Sequence, residues 1–345
     1  MGNMTRSARH RLLTVAYLGS LLWGSSLLIP LLFVPQAAAQ SAAQSSWPQR
    51  PIRLIVPLTP GGSNDVLGRV VAERLQAAVG QPVLVENRPG AGGNVGTEYV
   101  AKQPADGYTL LVSSNTHVVN PSFFARLPYD PIKDFEPVTL AVTVPFMLTV
   151  NAATPANSVR DVVQLARSRA KGLTYGTAGP GTPHQLTVEL LKTIAGGNYV
   201  HVPYKGAAGI VPALLANEID LTVGAINSLL PHIRSGKLRA LAAAGSTRMS
   251  VLPEIPTIAE ALPAPGLAID VWIGFLAPAG TPRDIVMRLN GEINRILRDP
   301  AIQKEKLNPI GLEVIATTPE RYMEVMKADL QLYARIARDA GIKPE

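Results

Sequence analysis

Three glycine-rich turns carry the chemistry this sequence can offer. They run Pro57-Leu58-Thr59-Pro60-Gly61-Gly62-Ser63-Asn64-Asp65, Arg88-Pro89-Gly90-Ala91-Gly92-Gly93-Asn94-Val95-Gly96 and Gly176-Thr177-Ala178-Gly179-Pro180-Gly181-Thr182-Pro183-His184. Each joins an apolar, strand-like stretch to a helical pattern. Glycine lets a backbone come close to a ligand, and a helix start leaves amide N–H groups without partners, so each turn can hold an anion without a lysine or arginine. Any one of them equally fits a tight connection in an α/β fold. Three in one chain point to anion binding.

Charged and titratable residues near the turns are few. His184 sits where the third turn enters its helix, within reach of a ligand there, although a locally packed histidine would look the same. Asp65 falls in the first turn of a helix, where the dipole stabilises a carboxylate by about 0.3–1 kcal/mol, yet it would repel an anion at the same turn. An organising role in the loop resolves that conflict. Lys205, in Val202-Pro203-Tyr204-Lys205-Gly206, precedes a helix, the end where positive charge is least welcome, and a bound anion would offset that cost. A solvated lysine is the plainer alternative. Tyr204 and Trp272 could wall a cleft or fill a core.

Catalytic and metal patterns are missing. There is no G-x-S-x-G elbow and no G-x-x-x-x-G-K-[ST] loop, while Gly90, Gly92 and Gly96 make only a loose relative of a dinucleotide fingerprint. His117, His184, His201 and His232 include no i, i+4 pair of the kind a helical zinc site uses. No catalytic residue, metal or cofactor is therefore expected.

The elements that position the turns follow from periodicity. Ile52 to Val56, Val83 to Val85, Thr109 to Val112 and Met147 to Val150 read as strands, and Asp65 to Val79 as a helix with Val66, Leu67, Val70, Val71 and Leu75 on one face. A second helix runs from near Asn94 to before Pro104. The βα order restarts after Asn151: Ser158 caps a helix over Val159 to Arg169, and Leu173 to Thr177, Tyr199 to Val202, Ile219 to Ala225 and Leu238 to Ala244 are strands among helices. After a proline-rich segment from Pro253 to Pro265, a strand over Ile269 to Ala277 precedes long helices around Pro282 to Arg298 and Pro319 to Ala340. The expected fold is α/β, with two lobes, each a mainly parallel sheet flanked by helices, and a ligand cleft between them at the carboxyl ends of the strands.

The N-terminus gives an address. Arg6, Arg9 and Arg11 precede an apolar run from Leu12 to Val34 and a small-residue stretch at Gln36-Ala37-Ala38-Ala39-Gln40, the pattern of a secretory signal peptide over residues 1–39. Removing those three arginines from the 32 Lys and Arg of the chain leaves 29 against 25 Asp and Glu, so the formal charge falls from +7 to +4. Basic residues are scattered and aromatics few, which argues against a nucleic-acid partner. The chain has no cysteine, so no lipid anchor can form on a processed cysteine, and a soluble monomer stabilised by its core alone is expected.

Longer runs carry a resemblance. Pro60-Gly61-Gly62-Ser63-Asn64-Asp65, Glu86-Asn87-Arg88-Pro89-Gly90-Ala91-Gly92-Gly93-Asn94-Val95-Gly96, Asp106-Gly107-Tyr108-Thr109-Leu110-Leu111, Val202-Pro203-Tyr204-Lys205-Gly206 and Pro231-His232-Ile233-Arg234-Ser235-Gly236-Lys237-Leu238-Arg239-Ala240-Leu241 resemble the Bug family, the periplasmic solute-binding proteins of tripartite tricarboxylate transporters. The match covers nearly everything after Trp47. It implies a two-lobed receptor with the first lobe over 47–148, the second over 149–268 and the first completed by 269–345. It also implies a small mono- or dicarboxylate ligand held by backbone amides of the turns at Pro60, Gly61, Gly62, Ser63 and Asn64, at Gly90, Ala91, Gly92 and Gly93, and at Thr177, Ala178, Gly179, Gly181 and His184, with Ser113 a further contact, and delivery to a membrane permease. A receptor feeding a sensor kinase and an exported hydrolase are the alternatives. The sequence departs from many relatives at Gly224, where they carry an aspartate, so a counter-charge for a ligand amine is missing there.

Overall fold

The computed structural model describes residues 47–205, 207–262 and 267–344. The expected signal peptide over 1–39 lies outside the described residues. Among the described residues no helix is long and apolar enough to cross a membrane.

Among the described residues eleven strands form two sheets. β1 (Ile52–Val56), β2 (Val83–Asn87), β3 (Thr109–Ser114) and β4 (Phe135–Thr143) begin the first, β5 (Phe146–Asn151), β6 (Leu173–Thr177), β7 (Tyr199–Pro203), β8 (Leu221–Ala225) and β9 (Leu238–Ala243) make the second, and β10 (Trp272–Pro278) and β11 (Glu313–Val314) return to the first. Their orders are β11-β4-β10-β3-β1-β2 and β7-β6-β8-β5-β9. The parallel order expected from the βα alternation holds for β2-β1-β3 and for β7-β6-β8. Every other pairing is antiparallel, so each sheet is mixed. β5, which the reading of residues 147–150 had set across a lobe boundary at 148, pairs wholly within the second sheet.

Register explains why the turns converge. Val56 lies opposite Asn87 and Ile55 opposite Leu111, so the loops after β1, β2 and β3 leave the same edge of the first sheet. Thr177 lies opposite Pro203 and Gly176 opposite Thr222, which does the same in the second sheet. In both sheets the first strand of the unit sits between its two successors, and the reversal of direction there opens a crevice at the carboxyl ends.

Local sequence sets the helices that start at these loops. In the helix Ser63–Val79, Leu67, Val71 and Leu75 recur every four residues and are fully buried, and Gly80 ends it with φ 70° and an amide bonded to the carbonyl of Gln76. The helix Pro183–Ala195 opens on a proline, whose fixed φ suits the first turn. Ser158 caps Val159–Ser168 as the sequence predicts, accepting from the Asp161 amide. The helices Arg283–Arg298 and Pro319–Asp339 cover the first sheet, packing on β4.

Candidate functional site

A chamber of about 60 Å³ lies where the two crevices face each other. Its first-sheet side is made by Leu58 and Thr59, by Gly62, Ser63 and Asn64, and by Ser114 and Thr116 after β3. The second sheet contributes Ala178, Thr182, Pro183, His184 and Ala225. Val144, Phe146, Val271 and Ile273, from the two segments that pass between the sheets, close it off. A recess of about 10 Å³ shares Leu58, Ser114 and Thr116 with the chamber and adds Gly92, Gly93, Ser113, His117 and Asn120.

Of the residues singled out in the sequence, Gly62, Ser63, Asn64, Ala178 and His184 line the chamber, and Gly92, Gly93 and Ser113 the recess. Pro60, Gly61, Asp65, Gly90, Ala91, Thr177, Gly179, Gly181 and Lys205 line neither. Lys205 is exposed. Trp272 is buried and donates from Nε1 to Asp329 at 2.7 Å, a structural contact, and it lines an adjoining cavity of about 360 Å³ that shares Val144, Phe146 and Val271 with the chamber but that none of the three glycine turns reaches.

Several turn amides expected to face a ligand are used inside the loops. Asp65 accepts from the Gly61 amide at 3.0 Å, from Arg69 Nη2 at 2.9 Å and from Asn87 Nδ2 at 3.0 Å. Burial pushes its carboxyl up, but these hydrogen bonds and the Arg69 charge outweigh that and hold it below the usual carboxylate range. Asp65 therefore organises the first turn. The Gly179 amide donates to Thr177 Oγ1 at 3.2 Å and the Gly181 amide to Gln185 Oε1 at 3.1 Å. Two helix starts lack a side-chain cap, Ser63–Val79 and Pro183–Ala195. Their first-turn residues, Ser63 and Asn64 on one and His184 on the other, line the chamber.

The second turn owes its shape to four consecutive positive φ values, 145° at Gly90, 45° at Ala91, 62° at Gly92 and 95° at Gly93. A β-carbon on Gly92 would stand 2.8 Å from the Pro180 carbonyl oxygen, and one on Gly181 2.6 Å from Asn120 Oδ1. The second and third turns thus touch, and the Ser63 hydroxyl donates to Asn227 Oδ1 at 3.0 Å between the first turn and the helix after β8. The cleft is closed.

Two buried histidines belong to the site. Burial drives the imidazoles of His117 and His184 down to about 4, so both rings are neutral at pH 7. His117 Nε2 lies 2.8 Å from the Pro131 carbonyl oxygen, to which it must donate, and its Nδ1 has no partner among the described residues; nor has His184 Nδ1. The chamber wall contains no lysine, arginine, aspartate or glutamate. Among the described residues no cluster of three or more His, Cys, Asp or Glu is placed to hold a metal ion.

Sequence reasoning missed Phe146, Val144, Val271 and Ile273, whose role depends on which strands cross between the sheets. It also missed Asn120, which donates from Nδ2 to the Gly92 carbonyl at 3.2 Å and fixes the second turn from below. Nothing in the local sequence around Asn120 marks it.

Residues 67–342 match the family model described as Tripartite tricarboxylate transporter family receptor. Protein BugT of Bordetella pertussis is 35% identical over 318 residues, which cover 92% of this chain and 97% of BugT. Among solved structures, R. palustris Rpa4515 with adipate shares 36% identity at a TM-score of 0.82, over 87% of this chain and 100% of its own. MatC (Rpa3494) from Rhodopseudomonas palustris with bound malate shares 29% identity at a TM-score of 0.79, over 84% of this chain and 100% of its own. On these matches the chain belongs to the tripartite tricarboxylate transporter receptor family, a family of periplasmic solute-binding receptors and not of enzymes.

Proposed function

We propose that this protein is exported to the periplasm, where it captures a small mono- or dicarboxylate between lobes built on its two sheets and hands it to a membrane permease of the tripartite tricarboxylate type. The observation that carries the reading is the pairing of two uncapped helix starts, one from each sheet, across a chamber without charged side chains. An anion there is held by directed amide donors at about 1.5–3 kcal/mol each, where a dipole alone contributes about 0.3–1. Adipate on Rpa4515 and malate on MatC support a carboxylate.

A closed chamber of about 60 Å³ is small beside ligand pockets of about 300–1,000 Å³. Admission of a ligand then requires the Ser63–Asn227 and Gly92–Pro180 contacts to part, a hinge motion about the segments between the sheets. A thermal-shift screen of the purified mature protein against C3 to C8 carboxylates tests the reading. A true ligand at 100 times its Kd stabilises by about 2.7 kcal/mol. A panel in which no carboxylate shifts the transition while another anion class does would overturn it.

A further inference from the structure

We infer, resting on that receptor reading, that the ligand is a carboxylate with a hydrocarbon body, alkyl or aryl, free of hydroxyl and amino substituents. The wall between the two helix starts is made by Leu58, Val144, Phe146, Ala225, Val271 and Ile273, and the last three of these are nearly or fully buried aliphatic surface.

Three of the polar side chains around that wall are already engaged, and His184, whose Nδ1 has no partner among the described residues, sits in the first turn of the helix that takes the acid group. The Ser63 hydroxyl donates to Asn227 Oδ1, Asn64 Nδ2 to the Val112 carbonyl at 2.9 Å, and the Thr182 hydroxyl to the Gly179 carbonyl at 2.8 Å. Thr59 and Thr116 stand at the strand ends of the first sheet, beside the amides that take the acid group. A hydroxyl on the ligand's middle carbons would lose its water and meet methyl groups or an aromatic ring. An ammonium fares worse. No carboxylate lines the chamber, and both oxygens of Asp65 are taken by Gly61, Arg69 and Asn87. Gly224 offers no charge, and its place in β8 is filled against Leu229, whose Cδ1 would stand 3.0 Å from a β-carbon there. Each methylene buried on such a wall strengthens binding by about fourfold.

Matched titration calorimetry separates this from the parent reading. The mature protein is titrated with succinate, malate and aspartate, then with glutarate, 2-hydroxyglutarate and glutamate, then with adipate against 2-hydroxyadipate and benzoate against 4-hydroxybenzoate. In every set that binds, the unsubstituted acid should bind at least about tenfold more tightly than its hydroxy or amino counterpart. Any hydroxy or amino acid equalling its unsubstituted partner would overturn the inference and leave the receptor intact. Failure of every acid would overturn the receptor reading itself. In Val271→Thr, which keeps the shape of the wall and adds one hydroxyl, the preference for succinate over malate, or for whichever pair binds, should shrink about tenfold. A preference unchanged in that variant, with its fold intact by circular dichroism, would mean that this wall does not set the selectivity.

Discussion

Neutral imidazoles in a buried site tie this protein's stability to acidity. His117 and His184 have folded values of about 4 against about 6.5 in an unfolded chain. Between those values the unfolded chain binds protons that the folded one refuses, so stability is full above about pH 6.5 and falls as the pH drops toward 4. By pH 5 the loss is about 2 kcal/mol per histidine. Denaturant midpoints at pH 7 and pH 5 measure it, and His184→Gln should reduce the drop by about 2 kcal/mol; an unchanged drop would mean the ring is not held neutral. Asp65 acts in the same direction lower on the scale, because its depressed carboxyl stabilises the fold above its unfolded value and loses that contribution as the pH falls through the folded one. Asp65→Asn takes from Arg69 its charged partner, leaving Asn87 Oδ1, and weakens the contact to the Gly61 amide, a loss of about 1–3 kcal/mol that should appear in both stability and ligand affinity. Asn227→Ala removes one neutral hydrogen bond across the cleft, worth about 0.5–1.5 kcal/mol, and calorimetry should find ligand affinity lowered about two- to tenfold.

At the scale of elements, what the sequence discloses is what depends on neighbours in the chain. The helix Ser63–Val79 was readable from Leu67, Val71 and Leu75 at helical spacing, and the Ser158 cap from one residue ahead of an amphipathic run. Turn positions were readable because glycines at 90, 92 and 93 have no other use in that density. The donors were not. Which amides stay free depends on whether Asp65, Thr177 and Gln185 reach back into their own loops, and no pattern of types decides that. β4 escaped notice because it is nearly all buried, with Pro137 inside it and no alternation to betray a face. Phe146 and Val271 are ordinary strand-flanking residues until the antiparallel partners of β5 and β10 are known. Engineering follows the same division. A proper N-cap such as Gly62→Ser, at a glycine with φ −75° and ψ 168°, should stabilise the helix Ser63–Val79 by about 0.5 kcal/mol while competing with the ligand for its first amides. Raised melting temperature with weakened binding is the expected pair of changes.

For the whole molecule, closure is the property that matters. The described residues from Trp47 on fall in one contact unit, Ser46–Glu345, consistent with turns that meet across the cleft. Gly92→Ala places a β-carbon 2.8 Å from the Pro180 carbonyl, a contact that only separation of the turns relieves. At φ 62° the substitution also costs about 1–2 kcal/mol locally. Small-angle scattering at saturating ligand should then show a larger radius of gyration for the variant than for the wild type; equal radii would mean the turns do not meet on closing.

The place of β10 has a consequence for how the chain assembles. It lies between β3 and β4, antiparallel to both, although it follows them in the chain by the whole of the second sheet. A polypeptide emerging N-terminus first can pair β1 with β2 and β3 at once, and can complete β5 to β9, but the earliest sheet stays split until Trp272–Pro278 arrives. The first sheet to begin is the last to finish. A chain ending at Leu262 should accordingly show no cooperative unfolding of its N-terminal half, and pulse-labelled hydrogen exchange during refolding should protect β6 and β8 before β3 and β4. Until that late strand docks, the nascent protein keeps an open seam down the middle of its first sheet.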